Sequence, residues 1–126
     1  MPKGILLEIN PVLPVRDIKK SINYYVDRLG FKFLFLDSED NPAYAGVGRD
    51  KVILHQQKHD PKEFDNVEKL NLRFVTENIE QLFEEYSQKN VFHSKTDLRK
   101  TSWGTKEFAF FDPDNNGLTF YSDLSI

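Results

Sequence analysis

The chain of 126 residues is long enough for one domain built around a single core. Its content of 39% hydrophobic and 29% charged residues is typical of a folded soluble protein, and no apolar run is long enough to span a bilayer. The 17 basic and 20 acidic residues are mixed along the chain and give a net charge of −3, which does not favour nucleic acid as a partner.

Three further features of the sequence narrow the class of protein. Cysteine is absent, which excludes disulfides, thiolate nucleophiles and cysteine metal sites. The first residues do not form a basic-then-apolar leader, so we expect a cytoplasmic location and no membrane partner. The 11 Phe, 5 Tyr and 1 Trp exceed what a core of this size needs, and they suit a cavity for flat or apolar ligands.

The first half of the chain predicts one helix among four strands. An apolar stripe of helical period runs through Ile18, Ile22, Tyr25, Val26 and Leu29. Asp17 is placed to cap this helix and Gly30 to end it. The predicted strands are Ile5 to Ile9, Phe31 to Leu36, Ala43 to Val47 and Lys51 to Gln56.

The second half predicts the same order of elements. A polar linker from His59 to Glu68 precedes it, and Asn78, with Gln81 three residues on, is predicted to open the second helix. The apolar stripe of that helix is Ile79, Leu82, Phe83 and Tyr86. The predicted strands are Leu70 to Val75, Val91 to His93, Lys106 to Phe111 and Leu118 to Ser122.

Strand, helix and three strands therefore occur twice, about sixty residues apart. Such a repeat predicts two βαβββ modules related by a pseudo-two-fold axis. We expect an α+β fold in one domain over residues 1–126, with the first module at about 4–58 and the second at about 66–124.

Three segments carry a resemblance to a known family. They are Pro11 to Ile18 with Tyr24-Tyr25 and Leu29-Gly30-Phe31, Tyr44 to Val52, and Trp103 to Ala109 with the turn Asp112 to Asn116. Together they resemble the glyoxalase/bleomycin resistance protein/extradiol dioxygenase (vicinal oxygen chelate) superfamily, and are most similar to its metal-free bleomycin-resistance type. The resemblance implies a curved mixed sheet around a cleft, with helices on the convex side.

Many members of that superfamily are enzymes that hold a divalent metal with His, Glu, His and Glu. The resemblance places these ligands at Asn10, at Ile53 or His55, at Asn71 or Leu70, and at Thr119. Only His55 is a strong ligand. Because one imidazole cannot retain a catalytic metal, we expect no metal and no cofactor.

Alternation along the strands sorts residues between the helices and the cleft. Val52 and Leu54 suit the helix side, which turns Ile53, His55 and Gln57 toward the cleft. In the fifth strand, Leu72 and Phe74 suit the helix side. The cleft-facing residues there are Asn71, Arg73 and Val75.

Seven residues are predicted to bind a ligand. Arg73 suits a carboxylate, a phosphate or an aromatic ring, or else pairs with a glutamate at the cleft rim. His55 offers one hydrogen bond, or is a strand histidine satisfied by a neighbour. The resemblance places Trp103 at the mouth of the cleft and Phe35 and Tyr44 on its wall, while other phenylalanines suit the core. The full set is Trp103, Arg73, His55, Phe35, Tyr44, Gln57 and Asn71.

Three functions are compatible with these residues. The first is a non-catalytic binder of a small aromatic or carboxylate-bearing molecule, such as an antibiotic of the bleomycin type. The second is a lyase or dioxygenase, with a metal or with His55 as base. The third is a regulatory module whose cleft is filled by Phe33, Phe35 and Phe110. Members of the superfamily commonly dimerise, sometimes exchanging the first strand, so we expect a homodimer.

Overall fold

The computed structural model describes residues 2–124 and contains three helices and eight strands in that range. The order is β1 (Val12–Val15), α1 (Ile18–Asp27), β2 (Lys32–Leu36), β3 (Tyr44–Arg49), β4 (Val52–Lys58), α2 (Pro61–Asn66), β5 (Asn71–Val75), α3 (Ile79–Ser87), β6 (Arg99–Lys100), β7 (Thr105–Phe111) and β8 (Gly117–Asp123). No helix among these residues is both long and apolar enough to cross a bilayer.

The strands form two four-stranded mixed sheets. Sheet A has the order β1-β4-β3-β2, and sheet B has the order β5-β8-β7-β6. In each sheet the first strand of the module pairs parallel to the last strand, and the other pairs are antiparallel. The two sheets therefore have the same topology, which confirms the predicted repeat of two βαβββ modules and the α+β fold.

The first helix begins and ends as its sequence predicts. Asp17 has an extended backbone, and its carboxylate accepts a hydrogen bond from the Lys20 amide at 3.1 Å. Gly30 follows the helix with a φ of +76°, a conformation that glycine adopts without strain. Both predictions are confirmed.

The predicted strand register is also correct. Leu54 and Gln56 are buried, and the Gln56 amide donates to the Ser21 hydroxyl of α1 at 2.8 Å. Phe74 is buried on the equivalent side of β5, whereas Arg73 and Val75 are exposed. The odd-numbered residues of β4 and β5 therefore lie on the face opposite the helices, called here the outer face of each sheet.

Three local predictions are wrong. Residues 2–11 form no strand, because β1 occupies the position beside β4 and the apolar residues before it meet no strand. Val91 to His93 is irregular, since His93 closes a turn with Thr96, and β6 is instead Arg99–Lys100. The predicted linker contains α2, which Asp60 caps. Asn78 opens α3 at the N-cap position as predicted, but its φ is +56° and its side chain makes no capping hydrogen bond.

One buried cluster joins the two modules through turns and helices. The Tyr25 hydroxyl of α1 donates to the Asp112 carboxylate at 2.7 Å, and the Asn116 amide donates to the Pro14 carbonyl at 3.1 Å. Burial raises the pKa of Asp112, and hydrogen bonds from Tyr25 and Asn116 act against this rise. Since the helix sides of both sheets contribute to this shared core, both outer faces remain exposed.

Candidate functional site

Three of the predicted residues meet on the outer face of sheet A. The Tyr44 hydroxyl lies 2.9 Å from His55 Nδ1, and the Phe35 ring meets the His55 ring edge-to-face with centroids 5.1 Å apart. Phe35 and Tyr44 are stacked at 6.3 Å. Because Nδ1 of His55 is engaged by Tyr44, Nε2 is the ring atom left to bond a ligand.

Backbone features hold this aromatic cluster in place. The pairing of β2 with β3 shifts register between Phe33 and Phe35, and Phe35 pairs opposite Gly46. The Phe35 ring lies directly over Gly46, where the Cβ of any other residue would overlap it. Gln57 is exposed and pairs opposite Tyr44, so it lies beside the cluster. We name Phe35, Tyr44 and His55 the aromatic triad.

Arg73 dominates the outer face of sheet B. Its guanidinium donates to the Glu107 carboxylate at 3.0 Å and lies 4.3 Å from the centre of the Tyr121 ring. The hydrogen bond to Glu107 raises the pKa of Arg73. The sequence left two partners possible for Arg73, either a ligand or a glutamate at the cleft rim. In the structure its partner is Glu107. The Arg73 side chain is still 48% exposed, which leaves donors for a ligand.

Glu107 is almost fully buried and accepts hydrogen bonds from two side chains of sheet B, the first of which is Arg73. Its carboxylate also accepts from the Thr105 hydroxyl at 2.8 Å. Burial acts to raise the pKa of Glu107, but the hydrogen bonds from Arg73 and Thr105 outweigh it and hold the pKa below its usual range. The Trp103 indole adds a weaker contribution in the same direction. Glu107 is therefore a carboxylate that neutralises Arg73 in place.

The two remaining predicted residues lie at the ends of sheet B. Trp103 stands in the turn before β7 with 62% of its surface exposed, next to Gly104, whose φ is +90°. Asn71 is exposed at the start of β5, and its side chain lies against Gly117 of β8. Both positions are accessible to a ligand that covers this outer face.

The predicted residues therefore form two groups rather than one. Phe35, Tyr44, His55 and Gln57 belong to sheet A, whereas Asn71, Arg73 and Trp103 belong to sheet B. Among residues 2–124, no hydrogen bond, ion pair or ring contact connects the two groups. The prediction that Phe33, Phe35 and Phe110 fill the cleft is also wrong in part. Phe110 lies in the core and is only 2% exposed, while Phe33 is half exposed.

The side chains present do not fit the metal that the superfamily implies. The four ligand positions hold Asn10, Ile53 or His55, Asn71 or Leu70, and Thr119. Within the described part of the chain, no three His, Asp or Glu side chains converge in a way that could hold an ion. His55 is bonded to a tyrosine, not to a second ligand.

Sequence reasoning missed three polar residues of this site, namely Thr105, Glu107 and Tyr121. The signal was present, because Phe108, Phe110 and Phe120 are buried core residues. Alternation from these phenylalanines places Glu107 and Tyr121 on the same face as Arg73. The register across β7 and β8 pairs Glu107 directly with Tyr121.

Similarity to known proteins shows which family the chain belongs to. A profile of the Glyoxalase/Bleomycin resistance protein/Dioxygenase superfamily matches residues 8–120, and the chain belongs to this superfamily. Two of its relatives are the bleomycin resistance proteins of Geobacillus stearothermophilus and Staphylococcus aureus. Each is 29% identical to this chain over an alignment that covers 94% of the chain and 98% of the relative.

Solved structures show the same fold. The bleomycin-binding protein of Streptomyces verticillus, solved with copper(II)-bleomycin, has a TM-score of 0.72 at 23% identity and covers 94% of this chain and 97% of its own. The bleomycin resistance determinant of transposon Tn5 has a TM-score of 0.75 at 18% identity, with 94% and 98% covered. A glyoxalase-related enzyme from Clostridium phytofermentans also has a TM-score of 0.75, at 20% identity, with 95% and 97% covered.

Proposed function

We propose that this protein is a non-catalytic binder of small molecules that sequesters an antibiotic of the bleomycin type in the cytoplasm. The observation that carries the proposal is the aromatic triad on an exposed sheet face, in a chain whose relatives are bleomycin resistance proteins along nearly their whole length. An exposed set of aromatic rings on a rigid sheet is suited to hold a flat ligand without chemistry.

The two outer faces offer different chemistry to such a ligand. The aromatic triad provides ring faces and one imidazole nitrogen, Nε2 of His55, for a hydrogen bond. Sheet B provides the exposed Trp103 indole and the free donors of Arg73. A ligand with planar rings at one end and carbonyl or carboxylate oxygens at the other would satisfy both faces.

The binding unit of this proposal is a homodimer. Each chain carries both outer faces, and among residues 2–124 no hydrogen bond, ion pair or ring contact joins the aromatic triad to Arg73 or Trp103. When sheet A of one chain faces sheet B of a second chain, two equivalent clefts form about a two-fold axis. Exposed Val75 and Phe111 would be covered by this pairing.

The single tryptophan provides the test. Trp103 is the sole tryptophan of the sequence and is exposed on the proposed cleft wall, so its fluorescence reports directly on a ligand. Titration with bleomycin should quench it saturably, at one drug molecule per chain. The Phe35→Ala substitution should raise the Kd for bleomycin measured by this quenching about tenfold, since an aromatic contact on the opposite wall is lost. Linear, unsaturated quenching that is the same in both proteins would contradict the proposal.

A further inference from the structure

The buried carboxylate of Glu107 has a basic residue on each side of it. From one side, Arg73 of β5 donates to this carboxylate at 3.0 Å. On the other side, Arg99 of β6 pairs directly opposite Glu107 in the antiparallel ladder. Directly opposed residues of two antiparallel strands project from the same face of the sheet. Two guanidinium groups therefore share the outer face of sheet B with one buried carboxylate.

Only one of these two guanidinium groups is paired. Glu107 accepts from Arg73 and from the Thr105 hydroxyl, and the Trp103 indole also acts on it. Arg99 is exposed, and among residues 2–124 its side chain makes no hydrogen bond or ion pair. A free guanidinium thus lies beside a carboxylate whose partners are already in place.

The other charges on the outer faces do not reverse this excess of positive charge. Within the described strands, the outer face of sheet A carries Lys32 and no acidic residue. The outer face of sheet B carries Arg73 and Arg99 with Glu107 and, at the end of β8, Asp123. Three basic and two acidic residues leave these faces with a net positive charge, although the whole chain has a net charge of −3.

Aromatic rings border the two guanidinium groups. Tyr121 pairs opposite Glu107, and the Arg73 guanidinium lies 4.3 Å from the centre of the Tyr121 ring. Trp103 precedes β7 with 62% of its surface exposed. A planar group that stacks on this indole would place a charged substituent close to both arginines.

We infer that the outer face of sheet B selects ligands that carry a carboxylate, which deepens the proposed function and rests on it. Arg73, held in place by Glu107, and Arg99 together bind the carboxylate oxygens, since a guanidinium matches the geometry of that group. A cationic group at the same position meets the positive charge of Arg99 and finds Glu107 already neutralised. Arg99 is therefore the residue that determines specificity for the charge of the ligand.

Two forms of one drug differ in the charge that is relevant here. Bleomycin A2 ends in a sulfonium cation, whereas bleomycinic acid ends in a free carboxylate. In calorimetric titrations of the wild-type protein we expect the Kd for bleomycinic acid to be about tenfold lower. In Arg99→Gln this preference should fall to about threefold or less, because only the Kd for the acid rises.

Lys100→Gln is the matched control. It removes the same charge from the neighbouring residue of β6, which pairs opposite Lys106 on the other face of the sheet. This variant should keep the preference of the wild type. A preference that Arg99→Gln and Lys100→Gln reduce equally would overturn the inference.

The remaining outcomes separate the inference from the proposed function. If the two compounds bind the wild type equally, the selection of a carboxylate is refuted and the drug-binding proposal stands. If neither compound binds, the proposed function is lost, and thermal shifts with 2-naphthoate and 2-naphthylmethylammonium decide the inference. A rise of the unfolding midpoint with 2-naphthoate alone, absent in Arg99→Gln, supports it; no rise, or a rise with both compounds, overturns it.

Discussion

The Tyr44 hydroxyl and His55 Nδ1 lie 2.9 Å apart on the exposed outer face of sheet A. This contact fixes the orientation of the imidazole and leaves Nε2 as the ring nitrogen available to a ligand, and the Phe35 ring meets the imidazole edge-to-face. His55 therefore offers a ligand one oriented ring nitrogen beside the rings of Phe35 and Tyr44.

Loss of the Tyr44 hydroxyl should weaken ligand binding more than it weakens the fold. In Tyr44→Phe the ring stays but the His55 ring loses its partner, so we expect bleomycin affinity to fall about threefold to tenfold. The midpoint of thermal unfolding should change little, because the pair is only partly buried. Calorimetric titration and a thermal melt check both; an unchanged affinity would remove this contact from the site.

The close approach of Phe35 to Gly46 gives a second prediction. A Gly46→Ala side chain would overlap the Phe35 ring and push it out of the triad, so drug binding should fall at least tenfold. Gly48→Ala is the matched control on the same strand, because its Cβ would meet the flexible Leu34 side chain at 3.1 Å and the Val52 carbonyl at 3.4 Å, and none of the aromatic triad. Fluorescence titration of the two variants should separate them, and equal losses would show that Phe35 is not positioned by Gly46.

The carboxylate of Glu107 predicts a pH dependence of stability. Its pKa is lowered in the folded protein by Arg73 and Thr105, against the effect of burial. The stabilisation is therefore complete above the usual pKa of glutamate and is lost as the pH falls through the lowered value. The difference in unfolding free energy between wild type and Glu107→Gln should be largest near neutral pH and shrink in acid. Denaturant titrations from pH 7 to pH 3 test this, and a difference that grows in acid would contradict it.

The joint between the modules should be the most sensitive part of the fold. Asp112 accepts from Tyr25 at 2.7 Å, from the amides of Asp114 and Asn116, and from the Asn116 side chain. Asp112→Ala leaves these buried donors unsatisfied and should lower the unfolding free energy by about 3 kcal/mol or more. Asp97→Ala, which removes an exposed local hydrogen bond, should cost about 0.5 kcal/mol or less. Urea denaturation compares the two, and similar losses would refute the role of the joint.

The fold could be predicted because the sequence repeats a pattern that physical rules constrain. Helical stripes and strand alternation locate α1, α3 and six of the strands, and they place Arg73 and His55 on the outer faces. Ile5 to Ile9 was predicted as a strand because it is apolar, but β1 lies beside β4 and residues 2–11 pair with no strand. Local sequence patterns do not show whether an apolar segment has a strand edge to pair with.

The site was predicted less completely than the fold. Alternation identifies which residues share a face, but not which faces meet, so seven residues expected around one cleft form two groups. Glu107 escaped notice because a glutamate in a strand is usually solvated, and its burial depends on Arg73 across the sheet. Contacts between distant strands decide such residues, and a single sequence does not reveal them.

Calorimetric titration of the purified chain with bleomycin tests the central claim most directly. The account predicts saturable binding with one drug molecule per chain, two per dimer, and a loss of at least tenfold in affinity in Phe35→Ala and in Trp103→Ala. Absence of binding heat across several temperatures, with the wild-type protein folded and dimeric, would contradict the assignment of this protein as a bleomycin-type binder.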